Sequence, residues 1–248
     1  MTHKSDIVIK KINNNIIFYD NGNEKNIEQL FLEGRFVTKE INNVEFINND
    51  NWIKKHYFRK GTMSFLKDKY LRCTEITSTR SYREFSILNH LIKKNFNTCK
   101  PVLGWAYFSS GIFYQANLVV ENIKNTRTLA EELKLLQIDS QSVSVSLICD
   151  RYTALGKQVA KMHLAGVYHG DLNLHNILIN KYDNVQKIIT SDDIHIIDFD
   201  KSDIKIITNK DKILNTNRLM RSLKKLNLFS DFNFDFFQEG YNSVIDNF

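Results

Sequence analysis

Two short apolar strands, each attached to a polar loop, place the strongest constraint on how this chain can fold. The polar segment 169–176 has the pattern H-x-D-x-x-x-x-N and leads directly into the apolar run 177–179. A second apolar run, 194–197, ends in the dipeptide Asp198-Phe199. Two such runs separated by a short segment predict a small β-hairpin. The hairpin would bring three polar side chains together, namely Asp171, Asn176 and Asp198.

These three residue types are the ones that phosphoryl transfer from ATP requires. Such a reaction needs a carboxylate that orients the acceptor hydroxyl, and oxygen ligands that hold Mg²⁺ on the phosphates. Asp171 is the candidate general base, and Asn176 and Asp198 are the candidate Mg²⁺ ligands. Either motif alone is common, since Asp and Asn in loops are usually turn formers. Their combination, in this order and each beside an apolar strand, predicts a phosphotransferase with a protein-kinase-like fold.

The hydrophobic pattern divides the chain into a strand-rich first half and a helix-rich second half. Strands are predicted over 7–9, 16–19, 35–37, 44–47, 52–58, 102–108 and 112–120, with turns at 13–15 and 109–111. Helices are predicted over 81–94, 128–136, 144–164, 210–226 and 231–244. The fold class is therefore bilobal α+β, with ATP bound in the cleft between the lobes. The lobes are an antiparallel sheet with one helix over 1–121 and a mostly helical lobe over 122–248.

A kinase-like N-terminal lobe needs a strand lysine for the ATP phosphates and a helix glutamate that pairs with it. Alternation along the predicted strand 52–58 places Lys55 on one face and Lys54 on the other, and Lys55 is the candidate, with Lys54 as the open alternative. Glu84 on the following helix is the candidate partner, although Ser81 and Glu84 also form an S-x-x-E capping box. The candidate glycine of the phosphate-covering turn is Gly34.

Composition excludes several broad classes of protein. The chain is 42% hydrophobic and 25% charged, which is typical of a globular protein and not of a disordered one. No run approaches the ~18 uncharged apolar residues of a membrane-spanning helix. The N-terminus has no apolar segment of the kind that a secretory signal needs. An odd number of widely spaced cysteines argues against a disulfide framework or a zinc site.

Charge and loop length narrow the class of substrate. The net charge of +6 favours an anionic partner. Only about a dozen residues separate Asp198 from the helix predicted at 210, too few for an activation loop, so we expect a small-molecule acceptor rather than a peptide. Basic and aromatic side chains are interleaved over 54–72, which suits a nucleic acid, an anionic phospholipid surface or an ordinary solvated lobe.

Several stretches of the chain match one known family. The most specific are D-L-N-L-H-N-I-L at 171–178 and I-D-F-D-K at 197–201. The others are K-H-Y-F-R-K-G at 55–61, K-D-K-Y at 67–70, T-R-S-Y-R-E-F at 79–85, F-Y-Q-A-N-L at 113–118 and L-N-T-N-R-L-M-R-S at 214–222. Over about residues 30–226 the chain resembles the 3-deoxy-D-manno-octulosonic acid (Kdo) kinases of Gram-negative bacteria, within the lipopolysaccharide kinase group.

The resemblance implies ATP-dependent phosphorylation of the 4-hydroxyl of Kdo on the lipid A precursor, at the cytoplasmic face of the inner membrane. It implies that Asp171 is the general base, that Asn176 and Asp198 hold Mg²⁺, and that Lys55 with Glu84 positions the phosphates. An anionic membrane surface is then favoured over nucleic acid as a partner. The alternatives are another sugar- or aminoglycoside-type kinase and a pseudokinase scaffold, which the intact polar set disfavours.

Overall fold

The computed structural model describes most of the chain and divides it into two compact units. It describes residues 7–23, 26–36, 44–57, 70–71, 73, 75–109, 113–138, 142–183 and 187–247. The first unit, called the sheet unit here, comprises Met1–Asn89 and Cys99–Asn122. The second, the helical unit, comprises His90–Thr98 and Ile123–Phe248. The two-lobe division at residue 121 that the sequence predicts is retained as a proposal.

The sheet unit is built on one antiparallel sheet. Its strands are β1 (Ile7–Ile12), β2 (Asn15–Asp20), β3 (Val44–Ile47), β4 (Trp52–His56), β5 (Tyr70–Leu71), β6 (Pro101–Phe108) and β7 (Phe113–Glu121). Within the described residues their order is β1-β2-β6-β7-β4-β3, and β5 also pairs with β7. A short helix, α1 (Ile27–Leu32), precedes β3, and a longer one, α2 (Arg80–Lys93), begins in this unit.

Alternation along β2 gives the sheet two apolar faces. Ile17 and Tyr19 point into a buried cluster that includes Trp105, whereas Phe18 points to the other face. There the ring of Phe18 meets that of Phe85 on α2, with ring centroids 5.4 Å apart and an edge-to-face geometry. Helix α2 is therefore packed on one face of the sheet, which fixes where its polar side chains lie.

The helical unit contains long helices and short strands. In chain order its elements are β8 (Thr126–Thr128), α3 (Leu129–Ile138), α4 (Ser142–Leu164), β9 (Val167–Tyr168), β10 (Ile177–Asn180), β11 (Ile194–Ile196), β12 (Asp203–Ile204), α5 (Asn209–Lys225) and α6 (Asp231–Ile245). The short strands pair as β11-β10-β8 and as β12-β9. No helix of the described residues combines the length and apolarity that crossing a bilayer requires.

Two glycines bring α4 and α6 into backbone contact. A Cβ on Gly156 would lie 2.0 Å from the carbonyl oxygen of Phe237, and one on Gly240 would lie 2.2 Å from that of Thr153. Neither position leaves room for a side chain, so the two helices cross more closely than side-chain packing would allow. The long α4 helix thereby gains a rigid partner, and it leads through the short strand β9 into the polar segment 169–176.

Most predicted elements are present, and two local predictions are wrong. The chain does not form the strand predicted at 35–37: Arg35 and Phe36 lie in a turn after α1, a helix that the sequence analysis missed, and residue 37 lies outside the described residues. Helix α2 is not capped by Ser81, because the Thr79 hydroxyl accepts the Tyr82 N–H at 3.3 Å. Of the predicted hairpin turn at 109–111, residues 110 and 111 also lie outside the described part.

Candidate functional site

A buried histidine fixes the conformation of the polar segment 169–176. His169 is fully buried, and its Nε2 lies 3.1 Å from the carbonyl oxygen of Ile197. A carbonyl can only accept, so Nε2 carries the proton and donates. The other ring nitrogen, Nδ1, accepts the backbone N–H of Asp171 at 3.0 Å. A neutral imidazole thus joins this loop to the end of β11, which makes His169 a brace for the loop.

Asp171 presents its carboxylate at the surface while its backbone is held in place. Its carbonyl oxygen accepts the side-chain amides of Asn173 at 3.0 Å and Asn176 at 2.9 Å. Its side chain is 47% exposed, and Oδ2 accepts the ammonium of Lys201 at 3.2 Å. A rigid backbone under an accessible carboxylate is the arrangement that a general base needs, because the group must reach a substrate hydroxyl without moving the loop.

Asn176 and Asp198 lie on neighbouring chain segments at one end of the β10–β11 hairpin. Ile177 pairs with Ile196, and the N–H of Ile197 donates to the carbonyl oxygen of Asn176 at 2.9 Å, which extends the pairing by one residue. Asp198 follows in the left-handed conformation, with φ of 64°, a region that Asp and Asn tolerate better than most residues. Since the Asn176 side-chain nitrogen already donates to Asp171, its oxygen is the atom that could bind a cation.

These oxygen donors fit Mg²⁺ in chemistry. A cluster of three or more His, Cys, Asp or Glu side chains that could hold a metal by themselves does not occur in the described part of the chain. Mg²⁺ does not need one, since it usually takes one or two protein oxygens, several waters and the phosphates of its substrate. Asp198 and Asn176 supply a carboxylate and an amide oxygen of that kind.

A residue of α5 that no sequence motif singled out also holds this loop, through hydrogen bonds to its backbone. Asn215 is fully buried; its Oδ1 accepts the N–H of His169 at 3.3 Å and its Nδ2 donates to the carbonyl oxygen of His169 at 2.5 Å. The Nε2 of His163 on α4 lies 3.0 Å from the Oδ1 of Asn215, and its Nδ1 lies 2.8 Å from the Tyr241 hydroxyl. Burial lowers the pKa of His163. The only sequence signal for Asn215 was its place in the matching stretch 214–222.

The loop also packs closely on the segment that follows Asp198. The Gly170 N–H donates to the Ser202 hydroxyl at 3.3 Å, and a Cβ at Gly170 would lie 1.9 Å from the carbonyl oxygen of Lys201. Glycine is therefore the residue that lets the two backbones meet. The contact holds Lys201 beside Asp171.

In the sheet unit, β4 and α2 bring Lys55 and Glu84 together. The Lys55 ammonium lies 2.8 and 3.1 Å from the two oxygens of the Glu84 carboxylate, which is 4% exposed. The Tyr57 hydroxyl donates to the same carboxylate at 2.5 Å. Lys54 lies on the other face, 3.4 Å from Glu45 on β3. The pair forms as the strand register predicts, and its role toward phosphates stays a prediction.

Gly34 occupies a turn after α1 and not a turn between two strands, where the phosphate-covering loop of a kinase-like lobe belongs. Its φ of +72° is the left-handed conformation that glycine adopts readily, and a Cβ there would meet nothing within 4 Å. Backbone conformation accounts for this glycine. Its contact with nucleotide stays a prediction, and most of the basic stretch 54–72 lies outside the described residues.

The folded chain is similar to solved kinases. It aligns with the structure titled WaaP in complex with acyl carrier protein at a TM-score of 0.57 and 13% identity, covering 97% of this chain and 79% of that one. A glucosamine kinase aligns at a TM-score of 0.53 and 10% identity, covering 97% and 80%. At these identities the likeness concerns the fold alone. The chain has the α+β protein-kinase-like fold.

Sequence comparison defines the family. The model of the lipopolysaccharide kinase (Kdo/WaaP) family matches residues 34–241. A 3-deoxy-D-manno-octulosonic acid kinase of Haemophilus influenzae (strain PittGG) is 31% identical over 189 residues, which cover 73% of this chain and 70% of the relative. The protein of that name from Vibrio parahaemolyticus is 38% identical over 172 residues, covering 69% and 63%. The chain belongs to the lipopolysaccharide kinase (Kdo/WaaP) family and is a phosphotransferase that acts on a hydroxyl group.

Proposed function

We propose that this protein transfers the γ-phosphate of ATP to the 4-hydroxyl of a Kdo residue on the lipid A precursor. The observation that carries the proposal is family membership together with the presence of the candidate base and both candidate metal ligands on the segment 169–176 and the β10–β11 hairpin. Asp171, Asn176 and Asp198 are all present; the first two are held by hydrogen bonds within the loop, and Asp198 directly follows the paired end of β11. The chain spans between 63% and 70% of the two relatives compared above, so their activity is carried over as a proposal.

Asp171 orients the acceptor hydroxyl and receives its proton. Its carboxylate is accessible, and the bond from the Asp171 N–H to His169 keeps the backbone still while the substrate binds. The Lys201 ammonium beside the carboxylate adds positive charge at the point where a phosphoryl group would approach. Because phosphoryl transfer depends mainly on positioning and charge, these two contacts supply what the acceptor side of the reaction needs.

ATP and Mg²⁺ would be held by the other members of the set. Asn176 and Asp198 would hold Mg²⁺, which when bound neutralises charge on the phosphates. Lys55, oriented by Glu84, would contact the phosphates, and Gly34 is the remaining candidate for a nucleotide contact. Tyr57 supports this assignment indirectly, because its hydroxyl bonds to Glu84 and so fixes the carboxylate that orients Lys55.

We also propose that the protein works at the cytoplasmic face of the inner membrane as a peripheral protein. The support is chemical. The proposed acceptor is a lipid, and the chain has a net charge of +6, which suits a surface of anionic phospholipids.

The experiment combines purified protein, labelled ATP, Mg²⁺ and a Kdo-bearing lipid A precursor, and locates the phosphate in the product. We expect label on the 4-hydroxyl of Kdo, and a loss of about 10²–10⁴ in turnover for Asp171→Asn with ATP binding retained. The matched control is Asp183→Asn, an exposed aspartate in a loop of the same unit, which should keep full turnover. Phosphorylation of an aminoglycoside or glucosamine with none on Kdo would contradict the proposal. Near-normal turnover by Asp171→Asn would contradict the general-base assignment, and no turnover of any acceptor by the wild-type protein would favour the scaffold alternative.

A further inference from the structure

Residues 201–225 are one of two short segments of the chain that carry a strong positive charge. Residues 201–225 contain eight Lys and Arg and two Asp, a net charge of +6. That value equals the net charge of all 248 residues, so the rest of the chain contains equal numbers of basic and acidic side chains. Residues 54–72 hold seven Lys and Arg and one Asp, also a net charge of +6, and the chain outside these two segments is net acidic. Of the two, 201–225 is the segment that the structure describes throughout, and its charge favours an anionic partner.

The same segment exposes large apolar side chains. Ile206 is 90% exposed and Ile213 is 59% exposed, and Ile204 and Leu214 are also at the surface. Lys205 lies between Ile204 and Ile206 in the sequence. Its ammonium donates to the carboxylate of Asp211, in the first turn of α5, at 2.6 Å. This ion pair joins the loop that carries Ile204 and Ile206 to the helix that carries Ile213.

Helix α5 separates the two kinds of residue by face. Its buried residues recur every four positions, at Asp211, Asn215, Leu219 and Leu223. Lys210, Ile213, Leu214 and Arg221 occupy exposed positions outside that buried stripe. Exposed isoleucines among cations are the composition of a surface that lies on an anionic bilayer, where apolar side chains enter the headgroup boundary and basic ones meet phosphate.

This surface adjoins the polar segment 169–176. Strand β12, which contains Ile204, pairs with β9, and Tyr168 at the end of β9 directly precedes His169. Lys201 at the start of the segment bonds the Asp171 carboxylate. We propose that residues 201–225 form a docking surface for anionic phospholipid, with Ile206 and Ile213 entering the bilayer, and that docking holds Asp171 at headgroup level. The placement of Asp171 near a lipid-borne acceptor rests on the proposed function, whereas the docking to phospholipid does not.

The test measures binding to vesicles of phosphatidylethanolamine with phosphatidylglycerol, and to vesicles of phosphatidylcholine alone. We expect binding to the anionic vesicles only. Ile206→Ser should weaken it about tenfold or more, while the control Ile188→Ser, which replaces a 70% exposed isoleucine elsewhere in the unit, should not. Replacing Lys210 and Arg221 by Gln should weaken binding about thirtyfold, since each cation contributes about fivefold. The matched control replaces Lys134 and Lys181, which are exposed elsewhere in the unit.

Two results would overturn the proposal. One is equal vesicle binding by Ile206→Ser and Ile188→Ser. The other is binding of a purified acidic acyl carrier protein through these same residues without vesicle binding, which would assign the surface to a protein partner. A second measurement separates this inference from the proposed function. Ile206→Ser should turn over a water-soluble, acyl-free Kdo acceptor normally and a vesicle-borne one poorly. If wild-type protein phosphorylates neither acceptor yet binds vesicles as described, the proposed function fails and the docking surface stands.

Discussion

The two adjacent lysines of β4 offer a matched pair of substitutions, Lys55→Met and Lys54→Met. Both side chains are largely buried, at 21% and 10% exposure, and both lie in ion pairs, with Glu84 and Glu45 respectively. Only Lys55 faces the carboxylate of α2. The two variants should therefore differ in what they impair.

We expect Lys55→Met to lower turnover about 10²–10³-fold, the usual effect of removing one preorganised charge that stabilises a transition state. It should also lower the unfolding free energy, although the Glu84 carboxylate keeps the hydrogen bond from Tyr57. Lys54→Met removes the ion-pair partner of Glu45, which should cost about 3 kcal/mol of unfolding free energy. Turnover per folded molecule should nevertheless stay within about threefold of wild type, as expected for a residue that does not touch substrate.

The assay is ATP-dependent phosphorylation of the acceptor, normalised to the folded fraction, beside urea unfolding of each variant. Both variants should lose unfolding free energy, whereas only Lys55→Met should lose turnover per folded molecule. If Lys54→Met lowers turnover as much as Lys55→Met, or more, the assignment of the phosphate-binding lysine from strand register is wrong.

Three further predictions concern the helical unit. Asp198→Asn should abolish turnover and retain the unfolding temperature, because Asn tolerates the same left-handed backbone; unchanged Mg²⁺ dependence of the rate would contradict the metal assignment. Asn215→Ala should cost about 2–4 kcal/mol, because the buried N–H and C=O of His169 lose their partners, and should lower turnover more than ATP affinity; urea unfolding and nucleotide titration measure both. Burial lowers the pKa of His163, so the unfolded chain takes up its proton first as the pH falls. The unfolding free energy should hold at pH 7 and decline below about pH 6.5, and His163→Gln should flatten that decline in urea titrations at several pH values.

The parts of the site that the sequence predicts well are those whose contacts are local. The hydrogen bonds that join Asn176 and His169 to Asp171 span five and two residues, so the pattern of 169–176 already contains most of the loop geometry. Alternation limits the choice to one of the two neighbours Lys54 and Lys55, because side chains on a strand point to opposite faces in turn, and the contact with Glu84 selects Lys55. The family stretches and the order of strands and helices are likewise properties of the chain itself.

Other features depend on contacts between distant parts of the chain. The capping box at Ser81 satisfies a local rule, yet the Thr79 hydroxyl caps the helix and the Glu84 carboxylate bonds Lys55, 29 residues away. Asn215 bonds His169, 46 residues away in the sequence. At that separation a sequence pattern does not show which residues come into contact.

The docking surface shows the division between the two kinds of information most clearly. The sequence alone determines that residues 201–225 hold eight basic and two acidic side chains. It does not determine that Ile206 stays exposed, because an isoleucine is as readily placed in a core as on a surface. That outcome depends on tertiary packing, since β12 pairs with β9 and α5 buries its other face, which leaves Ile206 in solvent two residues beyond the paired strand.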